Sequence, residues 1–290
     1  MIDMADIQII KYGDDNYPKR LMELNNPPEK LYCMGDISLL ENRMAAIVGS
    51  RKSSTYGKWA AESIAKALSD SGITVISGMA KGIDTAAHLG AIDGRGKTVA
   101  VLGCGIDMCY PAENRNLKRD IVAYGLVISE YPPGTEAKRW TFPKRNRIIA
   151  GLSELVVVVE AGLNSGALIT AELAAAGYGK VMAVPGNINS PYSIGSNKLI
   201  SDGVAPVVVI GDVLESMGIY EVDNGDNNLE SVLGNAEKEV YMEIKFGGEI
   251  SVDEVCRRVK RAPGYVNGII AVLEMKGLVR TSMGKVFVAK

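Results

Sequence analysis

The sequence has few of the residues that metal-dependent and disulfide-bonded proteins require. Its 290 residues include four cysteines and one histidine. The cysteines form no CxxC pair and have no histidine nearby, which argues against a zinc site and a disulfide framework. The one histidine, His88, falls inside a predicted helix, where a structural role is more common than a catalytic one. We therefore predict reduced thiols, no metal ion and no catalytic histidine.

Nucleotide-binding and nucleophile motifs are also missing. The first apolar strand ends in Gly49-Ser50-Arg51, but positions 51 and 54 are Arg and Ser, so the GxGxxG fingerprint of NAD and FAD sites is absent. Gly96-Lys97-Thr98 resembles the end of a P-loop, yet it precedes a strand and lacks the first glycine. No GxSxG nucleophile elbow occurs. We predict no cofactor and no ATPase, while Glu160 and Glu172 leave a carboxylate-based hydrolase open.

Long apolar runs are absent too. The longest ones fall far short of a membrane span, and the first residues form no apolar signal core. We therefore expect a cytoplasmic protein with no membrane partner. The formal net charge is −2, so any binding to nucleic acid has to come from a local patch of cations.

Charge is unevenly distributed along the chain. The segment from Asp212 to Glu237 has seven acids and no Lys or Arg, whereas the segment from Lys238 to Lys290 has ten bases and six acids. The first of these segments reads as a linker. We predict four parts: an N-terminal extension packed on the core over 1–43, a core over 44–217, an acidic linker over 218–237 and a small module over 238–290.

Short apolar strands alternate with amphipathic helices from Met44 to about Met217. The predicted strands are Met44–Val48, Ile73–Ser77, Thr98–Leu102, Leu126–Ser129, Leu155–Glu160, Lys180–Val184 and Pro206–Ile210. This alternation predicts an α/β fold with a Rossmann-like parallel sheet covered on both faces. In such a fold the ligand lies beyond the C-terminal ends of the strands.

The last module has a different pattern. Val240–Lys245, Val252–Val259 and Pro263–Lys276 read as three helices, and Leu278–Val288 reads as a hairpin that turns near Met283-Gly284. Three helices and a terminal hairpin predict a winged helix, in which the third helix would be the reader of duplex DNA. The same order is common in modules that bind only protein, so both kinds of partner stay open.

The most informative stretch runs from Lys138 to Arg147. It has five cations and no acid, and it interleaves them with Trp140 and Phe142. Cations neutralise phosphates and aromatic rings stack on bases, so this composition indicates a nucleic-acid contact. The alternative is the basic first turn of a surface helix. Because an apolar strand follows at Leu155, we place the basic helix beside the mouth of the sheet and favour the contact.

Two loops at predicted strand ends suit an anion. In the loop that starts at Gly49, backbone N–H groups at the start of the next helix can bind a phosphate, and Arg51 can add a bidentate contact. The loop from Gly162 to Gly166 also precedes a helix and offers a second nest of N–H groups. We include Gly49, Ser50, Gly162, Ser165 and Gly166 in the predicted site.

Several motifs together resemble the DNA-processing protein A family, also called Smf. They are Tyr17-Pro18 through Pro27-Pro28, Leu31 to Asp36, Ile47 to Arg51, Ser77 to Asp84 with His88, Ser129 to Gly134, Phe142 to Leu152, and Glu160 to Ala171. The match covers roughly residues 15–217, and the terminal module resembles the winged helix that many members append.

The resemblance implies a core that binds single-stranded DNA without a catalytic cycle. It also implies a homodimer that protects incoming DNA and helps load the RecA recombinase during natural transformation. The family's motifs place the DNA-binding pocket at Arg51, Phe142, Arg145, Asn146 and Arg147, with Lys138 and Lys144 as further members. We expect Arg51→Ala or Arg145→Ala to weaken binding while leaving the fold intact, and Phe142 to stack on a base.

Two further expectations concern assembly and an alternative activity. An apolar strand at Pro206–Ile210 would end the sheet, so we predict that the dimer forms around Pro206 to Met217. The core also resembles nucleotide phosphoribohydrolases of the lysine-decarboxylase-like group, whose loop reads PGGxGT with a nearby glutamate. Here the loop from Ala161 to Gly166 lacks the Pro-Gly-Gly start. Such an enzyme is the alternative function.

Overall fold

The computed structural model describes residues 7–220, 233–282 and 284–288. The chain divides into two compact units between Tyr220 and Glu221. Most of the acidic linker predicted over 218–237 lies outside the described residues, as does Met283 of the predicted hairpin turn. Among the described residues, every helix is too short or too polar to span a lipid bilayer.

The first unit is built on a nine-stranded sheet. Its strands are β1 (Gln8–Lys11), β2 (Lys30–Gly35), β3 (Met44–Val48), β4 (Thr74–Ser77), β5 (Thr98–Leu102), β6 (Leu126–Ser129), β7 (Leu155–Val158), β8 (Lys180–Ala183) and β9 (Ala205–Pro206). They are arranged in the order β1-β2-β6-β5-β4-β3-β7-β8-β9. The strands from β6 to β9 in this order run parallel, which confirms the predicted Rossmann-like α/β core.

Helices cover both faces of this sheet. They are α1 (Lys19–Met22), α2 (Thr55–Asp70), α3 (Ile83–Asp93), α4 (Arg115–Tyr124), α5 (Thr141–Leu152), α6 (Gly166–Leu173), α7 (Ile194–Ser201) and α8 (Ile210–Ser216). Short 3₁₀ segments occupy Ile37–Glu41 and Ala112–Asn114, and a π-helical turn occupies Ala174–Tyr178.

Strand β3 illustrates why the two faces need helices. All five of its residues are buried. Met44, Ala46 and Val48 belong to the apolar cluster on one face, while Ala45 and Ile47 belong to the cluster on the other. Successive side chains of a strand point to opposite faces, so an uninterrupted apolar run has to be covered twice.

The predicted extension over 1–43 contributes two strands that the sequence analysis did not predict. Strand β1 pairs antiparallel with β2, and β2 pairs antiparallel with β6. The Tyr17 hydroxyl donates to the Pro28 carbonyl over 2.8 Å and helps to fix the connection between the two strands. The extension therefore completes one edge of the sheet.

The predicted strand Pro206–Ile210 is wrong. Strand β9 ends at Pro206, and Ile210 already begins α8. The Asp212 carboxylate accepts hydrogen bonds from the backbone N–H groups of Val208 at 2.7 Å and Val209 at 2.9 Å. An acid in the first helical turn that binds the preceding amides starts a helix, and this contact ends the extended run that the valines alone favour.

The second unit contains three helices and a small antiparallel sheet. The helices are α9 (Asn235–Gly247), α10 (Val252–Val259) and α11 (Pro263–Met275), and the strands are β10 (Ile250–Ser251), β11 (Val279–Ser282) and β12 (Lys285–Val288), arranged β10-β12-β11. The three helices and the hairpin lie where the sequence places them. The assignment of this unit to the winged-helix class stays a prediction.

Candidate nucleic-acid interface

A cleft of about 830 Å³ opens at the C-terminal ends of the parallel strands. The loops that follow β3 and β7 both line it, and these two strands are neighbours in the sheet. The chain continues from β3 towards β4 on one side and from β7 towards β8 on the other, so the cleft lies at the point where the strand order reverses. Open α/β sheets bind their ligands at this switch point.

The cleft brings together ten of the twelve predicted site residues. They are Gly49, Ser50, Arg51, Lys138, Phe142, Arg145, Asn146, Gly162, Ser165 and Gly166. The other two, Lys144 and Arg147, do not line it. Helix geometry explains this separation, because residues three and four apart share a face. Phe142, Arg145 and Asn146 lie on the cleft face of α5, whereas Lys144 and Arg147 lie on the next face round.

Thr141 fixes the start of α5 at the end of β5. Its side chain is buried, and its hydroxyl is 2.5 Å from the Gly103 carbonyl and 2.7 Å from the Lys138 carbonyl. Gly103 is needed at this contact because a Cβ there would lie 2.9 Å from Cδ1 of Phe142. The basic stretch is thus attached to the sheet, and Phe142 is held at the cleft wall.

Arg51 and Phe142 form a cation–π pair in the cleft. The Arg51 guanidinium carbon lies 4.8 Å from the centroid of the Phe142 ring, and the ring is only partly buried. The Tyr110 ring lies 5.4 Å from the Phe142 ring, centroid to centroid. Arg51 is exposed and makes no hydrogen bond or ion pair to any of the described residues. Its donors are therefore available to a phosphate.

Arg145 makes structural contacts that the sequence did not predict. Only 4% of it is exposed, and one guanidinium nitrogen donates to the carbonyl oxygens of Gly78, at 2.8 Å, and Val101. Burial lowers the pKa of Arg145, while the nearby Asp84 carboxylate acts in the opposite direction. A Cβ at Gly78 would clash with the guanidinium. Arg145 fastens α5 to two strand ends, so the expectation that Arg145→Ala leaves the fold intact is not supported by its contacts.

Asn146 joins α5 to the second predicted nest. Its Oδ1 accepts from Nε of Arg145 over 3.1 Å, and its Nδ2 donates to the Gly166 carbonyl over 3.1 Å. Within the nest, Ser165 caps α6 by accepting from the Ala167 N–H over 3.3 Å. Asn146 therefore positions the Gly162 to Gly166 loop opposite the Arg51 loop.

Lys144 and Arg147 instead surround Glu130. Arg147 contacts one carboxylate oxygen of Glu130 through its guanidinium, and Lys144 Nζ lies 3.6 Å from the other oxygen. The Arg147 side chain is nearly buried, so its charge is committed to Glu130. Neither residue lines the cleft, and their assignment to the DNA-binding site stays a prediction.

Several residues that line the cleft were not among the twelve predicted site residues. They are Lys52, Asp84, Tyr110, Arg139 and Tyr192. Tyr110 and Tyr192 each adjoin a proline in a loop after a strand, Pro111 and Pro191. Loops that leave strand ends in this fold carry binding residues, so an aromatic in such a loop was the available signal.

Asp84 is the carboxylate that reaches the cleft from the first turn of α3. It is buried, and burial raises its pKa, an effect that the charge of Arg145 partly offsets. Its Oδ2 accepts from the Ala80 N–H over 3.3 Å. The neighbouring guanidinium and this backbone contact explain how an acid is kept inside a cation-lined site.

Two of the groups considered for catalysis, Glu160 and His88, make hydrogen bonds within the scaffold. The Glu160 carboxylate accepts from the Ser54 N–H at 2.9 Å and the Ser54 hydroxyl at 2.5 Å, just before α2. His88 is buried, and its Nδ1 lies 2.7 Å from the Thr98 hydroxyl, which itself donates to the Val75 carbonyl. Burial lowers the pKa of His88 to about 3. None of Glu160, Glu172 and His88 lines the cleft.

The fold and the cleft define a Rossmann-like protein with a cleft lined by cations and aromatic rings at the strand switch point. The family model for DNA recombination-mediator protein A matches residues 8–218. The chain belongs to this family, that of DNA processing protein A (DprA). A putative DprA from Mycobacterium tuberculosis is 38% identical over an alignment of 295 positions, which spans 96% of this chain and 76% of that protein.

Two solved structures agree with this assignment. DprA from Streptococcus pneumoniae superimposes with a TM-score of 0.70 at 42% identity, covering 72% of this chain and 74% of that chain. DNA processing protein A from Helicobacter pylori, whose structure concerns its single-stranded DNA binding mode, superimposes with a TM-score of 0.68 at 30% identity, covering 74% of this chain and 97% of that chain.

Proposed function

We propose that this protein binds single-stranded DNA in the cleft and has no catalytic cycle. The observation that carries the proposal is the pair formed by Arg51 and Phe142, an exposed cation 4.8 Å from a partly exposed ring. A base offers its flat face for stacking only when it is unpaired, whereas phosphates are present in any nucleic acid. A site that combines stacking with phosphate contacts therefore favours single strands of any sequence.

The backbone around Arg51 supports the phosphate contact. The Ser50 N–H donates to the Glu160 carbonyl over 2.7 Å, and the Ser50 hydroxyl binds the Lys52 backbone at both its carbonyl and its N–H. The loop is thus held in shape before a ligand arrives. Preorganised donors lose less entropy on binding than mobile ones do.

The phosphoribohydrolase alternative is not favoured by the positions of its carboxylates. Glu160 is bound to Ser54, and Glu172 is exposed outside the cleft. Asp84 does reach the cleft, but it is buried next to Arg145. Hydrolysis would require a carboxylate within reach of a bound sugar and free to act on it. Release of free base from a nucleoside monophosphate would revive this alternative.

The test measures binding of a labelled oligothymidylate and of a duplex of equal length to the full chain at several salt concentrations. We expect the single strand to bind more tightly at every salt concentration, and affinity to fall as salt rises because phosphates are neutralised. Equal or tighter binding of the duplex would contradict the proposal.

In the cell, we propose that the protein protects incoming single strands and helps load the RecA recombinase during natural transformation. Membership of a recombination-mediator family supports this role. The check is the lag before RecA filaments form on a strand covered by single-strand-binding protein. We expect the full chain to shorten the lag and Arg51→Ala to restore it. An unchanged lag with the wild-type chain would remove the loading role.

We further propose a homodimer formed by the first unit through the segment from Pro206 to Met217. Val208 is 75% exposed and Val209 is 61% exposed, beside the edge strand β9. Because Asp212 binds the N–H groups of both valines, pairing would use their side chains and not these two amides. Sedimentation tests this: the wild type should be a dimer at micromolar concentration and Val208→Glu a monomer. A Val208→Glu dimer would place the interface elsewhere.

A further inference from the structure

Trp140 is the largest exposed aromatic residue next to the cleft, and the cleft does not include it. The side chain is 59% exposed although its neighbour Thr141 is fully buried. Thr141 lies between Trp140 and Phe142 and donates to the Gly103 carbonyl, which attaches this part of the chain to the end of β5. The backbone at Trp140 is therefore held in place. The indole is mostly exposed, so packing inside the fold does not account for it. An exposed indole on a fixed backbone beside a cleft points to a contact with a ligand.

The surroundings of Trp140 form a small aromatic and cationic platform, made of Trp140, Tyr131 and Lys144. The Trp140 and Tyr131 rings meet edge to face at 6.2 Å between centroids. Lys144 Nζ lies 5.8 Å from the Tyr131 ring centroid, and its side chain is 42% exposed. The contact with Tyr131 orients the Trp140 indole and leaves most of it accessible.

Two cations connect the platform to the cleft. Lys138 and Arg139 line the cleft, immediately precede Trp140 in the chain, and are exposed. Neither side chain forms an ion pair with any of the described residues. A strand that leaves the cleft over these two residues therefore finds phosphate partners first and an indole next.

The charge of the platform distinguishes a nucleic-acid ligand from a protein partner. The nearby acid, Glu130, is already bound by Arg147 and lies close to Lys144. An exposed Trp in a protein-docking patch is usually surrounded by apolar side chains, since the fully buried part of such an interface is depleted of charge. The exposed residues within four positions of Trp140 are the cations Lys138, Arg139 and Lys144, together with Pro143 and one acid, Glu136, so cations predominate.

We propose that the platform binds nucleotides of a single strand beyond those held in the cleft, with Trp140 stacking on a base. This inference rests on the proposed function of the cleft and extends it. The site then has two stacking positions, Phe142 inside the cleft and Trp140 outside it, on opposite sides of the buried Thr141. Stacking and phosphate contacts of this kind tolerate every base, so the extension lengthens the site without adding sequence preference.

The experiment compares Trp140→Ala with the matched control Trp59→Ala in the full chain. Trp59 is 50% exposed on α2 and contacts Tyr56 at 6.1 Å between ring centroids, outside the cleft lining. Affinity is measured for oligothymidylates of about 4 and about 16 nucleotides, the range of site sizes in single-strand-binding folds. We expect Trp140→Ala to lose at least about fivefold in affinity on the long strand, as for one stacked base, and less than about twofold on the short one.

The possible outcomes distinguish binding at the platform from binding in the cleft. Unchanged affinity of Trp140→Ala for the long strand overturns the platform and leaves the cleft standing. An equal loss for both lengths also overturns it, because Trp140 would then support the cleft itself. Failure of the wild-type chain to bind either length overturns the function proposed for the cleft and the platform with it. Thermal melting of Trp140→Ala should match the wild type, since the side chain is exposed.

Fluorescence provides a second readout. The chain has two tryptophans, so Trp59→Phe leaves Trp140 as the only indole. We expect saturating long oligothymidylate to quench its emission and the short strand at saturation to leave it nearly unchanged. Emission that stays constant with the long strand overturns the stacking of Trp140.

Discussion

The two units present their cations in different ways. The segment from Lys238 to Lys290 is the more basic one, with ten bases and six acids. Its densest basic run, Arg257 to Arg261, spans the end of α10 and the turn after it, and its four cations are all exposed. Arg257 and Arg258 both pair with Glu254 on the same helix. In the first unit, Arg145 of the cleft is bonded to carbonyls at two strand ends and Arg51 lies over the Phe142 ring. The number of basic residues in a segment is therefore a weaker guide to a binding site than the contacts that hold their side chains in place.

The third helix of the second unit has no basic residues. Helix α11 has no Lys or Arg between Pro263 and Met275, and its exposed residues include Val272 and Met275. Reading a duplex requires side chains that hydrogen-bond base edges and cations that hold the phosphates on either side. The sequence of α11 supplies few of either, so we expect the cleft of the first unit to account for most DNA binding.

The largest effect should come from Arg145, whose guanidinium is buried and hydrogen-bonded to two carbonyls. Arg145→Met should lower the free energy of unfolding of the first unit by about 3–5 kcal/mol, because it leaves the Asp84 carboxylate buried without its counter-charge and frees two carbonyls. Urea unfolding measures this. Arg51→Met, the same change at an exposed cation, is the control and should be neutral. If Arg145→Met is as stable as the wild type, Arg145 would instead be assigned to DNA binding, as its motif predicts.

Arg51 should show the reverse pattern, a loss of binding at constant stability. Arg51→Ala removes a guanidinium that has no partner among the described residues, so we expect a loss of about 2–3 kcal/mol in single-strand affinity, roughly 30- to 150-fold. Fluorescence anisotropy at fixed salt measures it. Arg119→Ala, an exposed arginine on α4 outside the cleft, controls for net charge. Equal losses in both variants would make the effect one of overall charge.

The pH dependence of stability should separate the units, because His88 is the one histidine and lies in the first. Its pKa is about 3 in the fold and about 6.5 when unfolded, so the unfolded state binds the proton first as pH falls. The stability that neutral His88 provides is complete above about pH 6.5 and falls by about 2 kcal/mol between pH 7 and pH 5. His88→Gln should remove this part of the pH dependence of the unfolding free energy. An unchanged pH dependence would show that His88 is not its source.

Phe142 tests stacking more narrowly. Phe142→Leu keeps an apolar side chain against Gly103 and removes the aromatic face, so single-strand affinity should fall about tenfold with little change in melting temperature. Phe142→Ala should lose similar affinity and some stability, since the ring is partly buried next to Tyr110. Melting that drops by many degrees while binding is kept would show that the ring is structural.

Much of the fold could be predicted from the sequence because its strands are short, apolar and separated by clear helices. Thr98–Leu102 and Leu126–Ser129 have the predicted bounds. The failures have local causes. The valines at 207–209 favour a strand, but Asp212 binds two of their amides and starts a helix. Strands β1 and β2 join the sheet antiparallel at its edge, a long-range pairing that local periodicity does not reveal.

The sequence predicts which loops meet at the cleft better than it predicts the contacts that each side chain makes there. Motif spacing brought Arg51 and Phe142 to one cleft, but it could not separate Arg145 from Arg51, since both are arginines beside a strand end. Their roles differ because one guanidinium reaches carbonyls inside the fold and the other does not. Helical period does place Arg147 off the cleft face, and that signal was present in the sequence.

The smallest effect should come from the basic turn of the second unit, and its size decides how far the contrast between the units holds. Lys260 and Arg261 are exposed before α11, and Arg261 lies 5.8 Å from the Tyr265 ring centroid, so this turn has the same residue types as the cleft without its buried anchors. Lys260→Ala with Arg261→Ala in the full chain should lower single-strand affinity less than about twofold, because exposed, loosely held cations contribute little each. Arg115→Ala with Arg119→Ala on α4 gives the same change of charge in the first unit as a control. A loss above about tenfold, absent from that control, would mean that the turn is a second part of the single-strand site. A loss confined to duplex would instead support the winged-helix prediction, with contacts made by the turn before α11 and not by its central face.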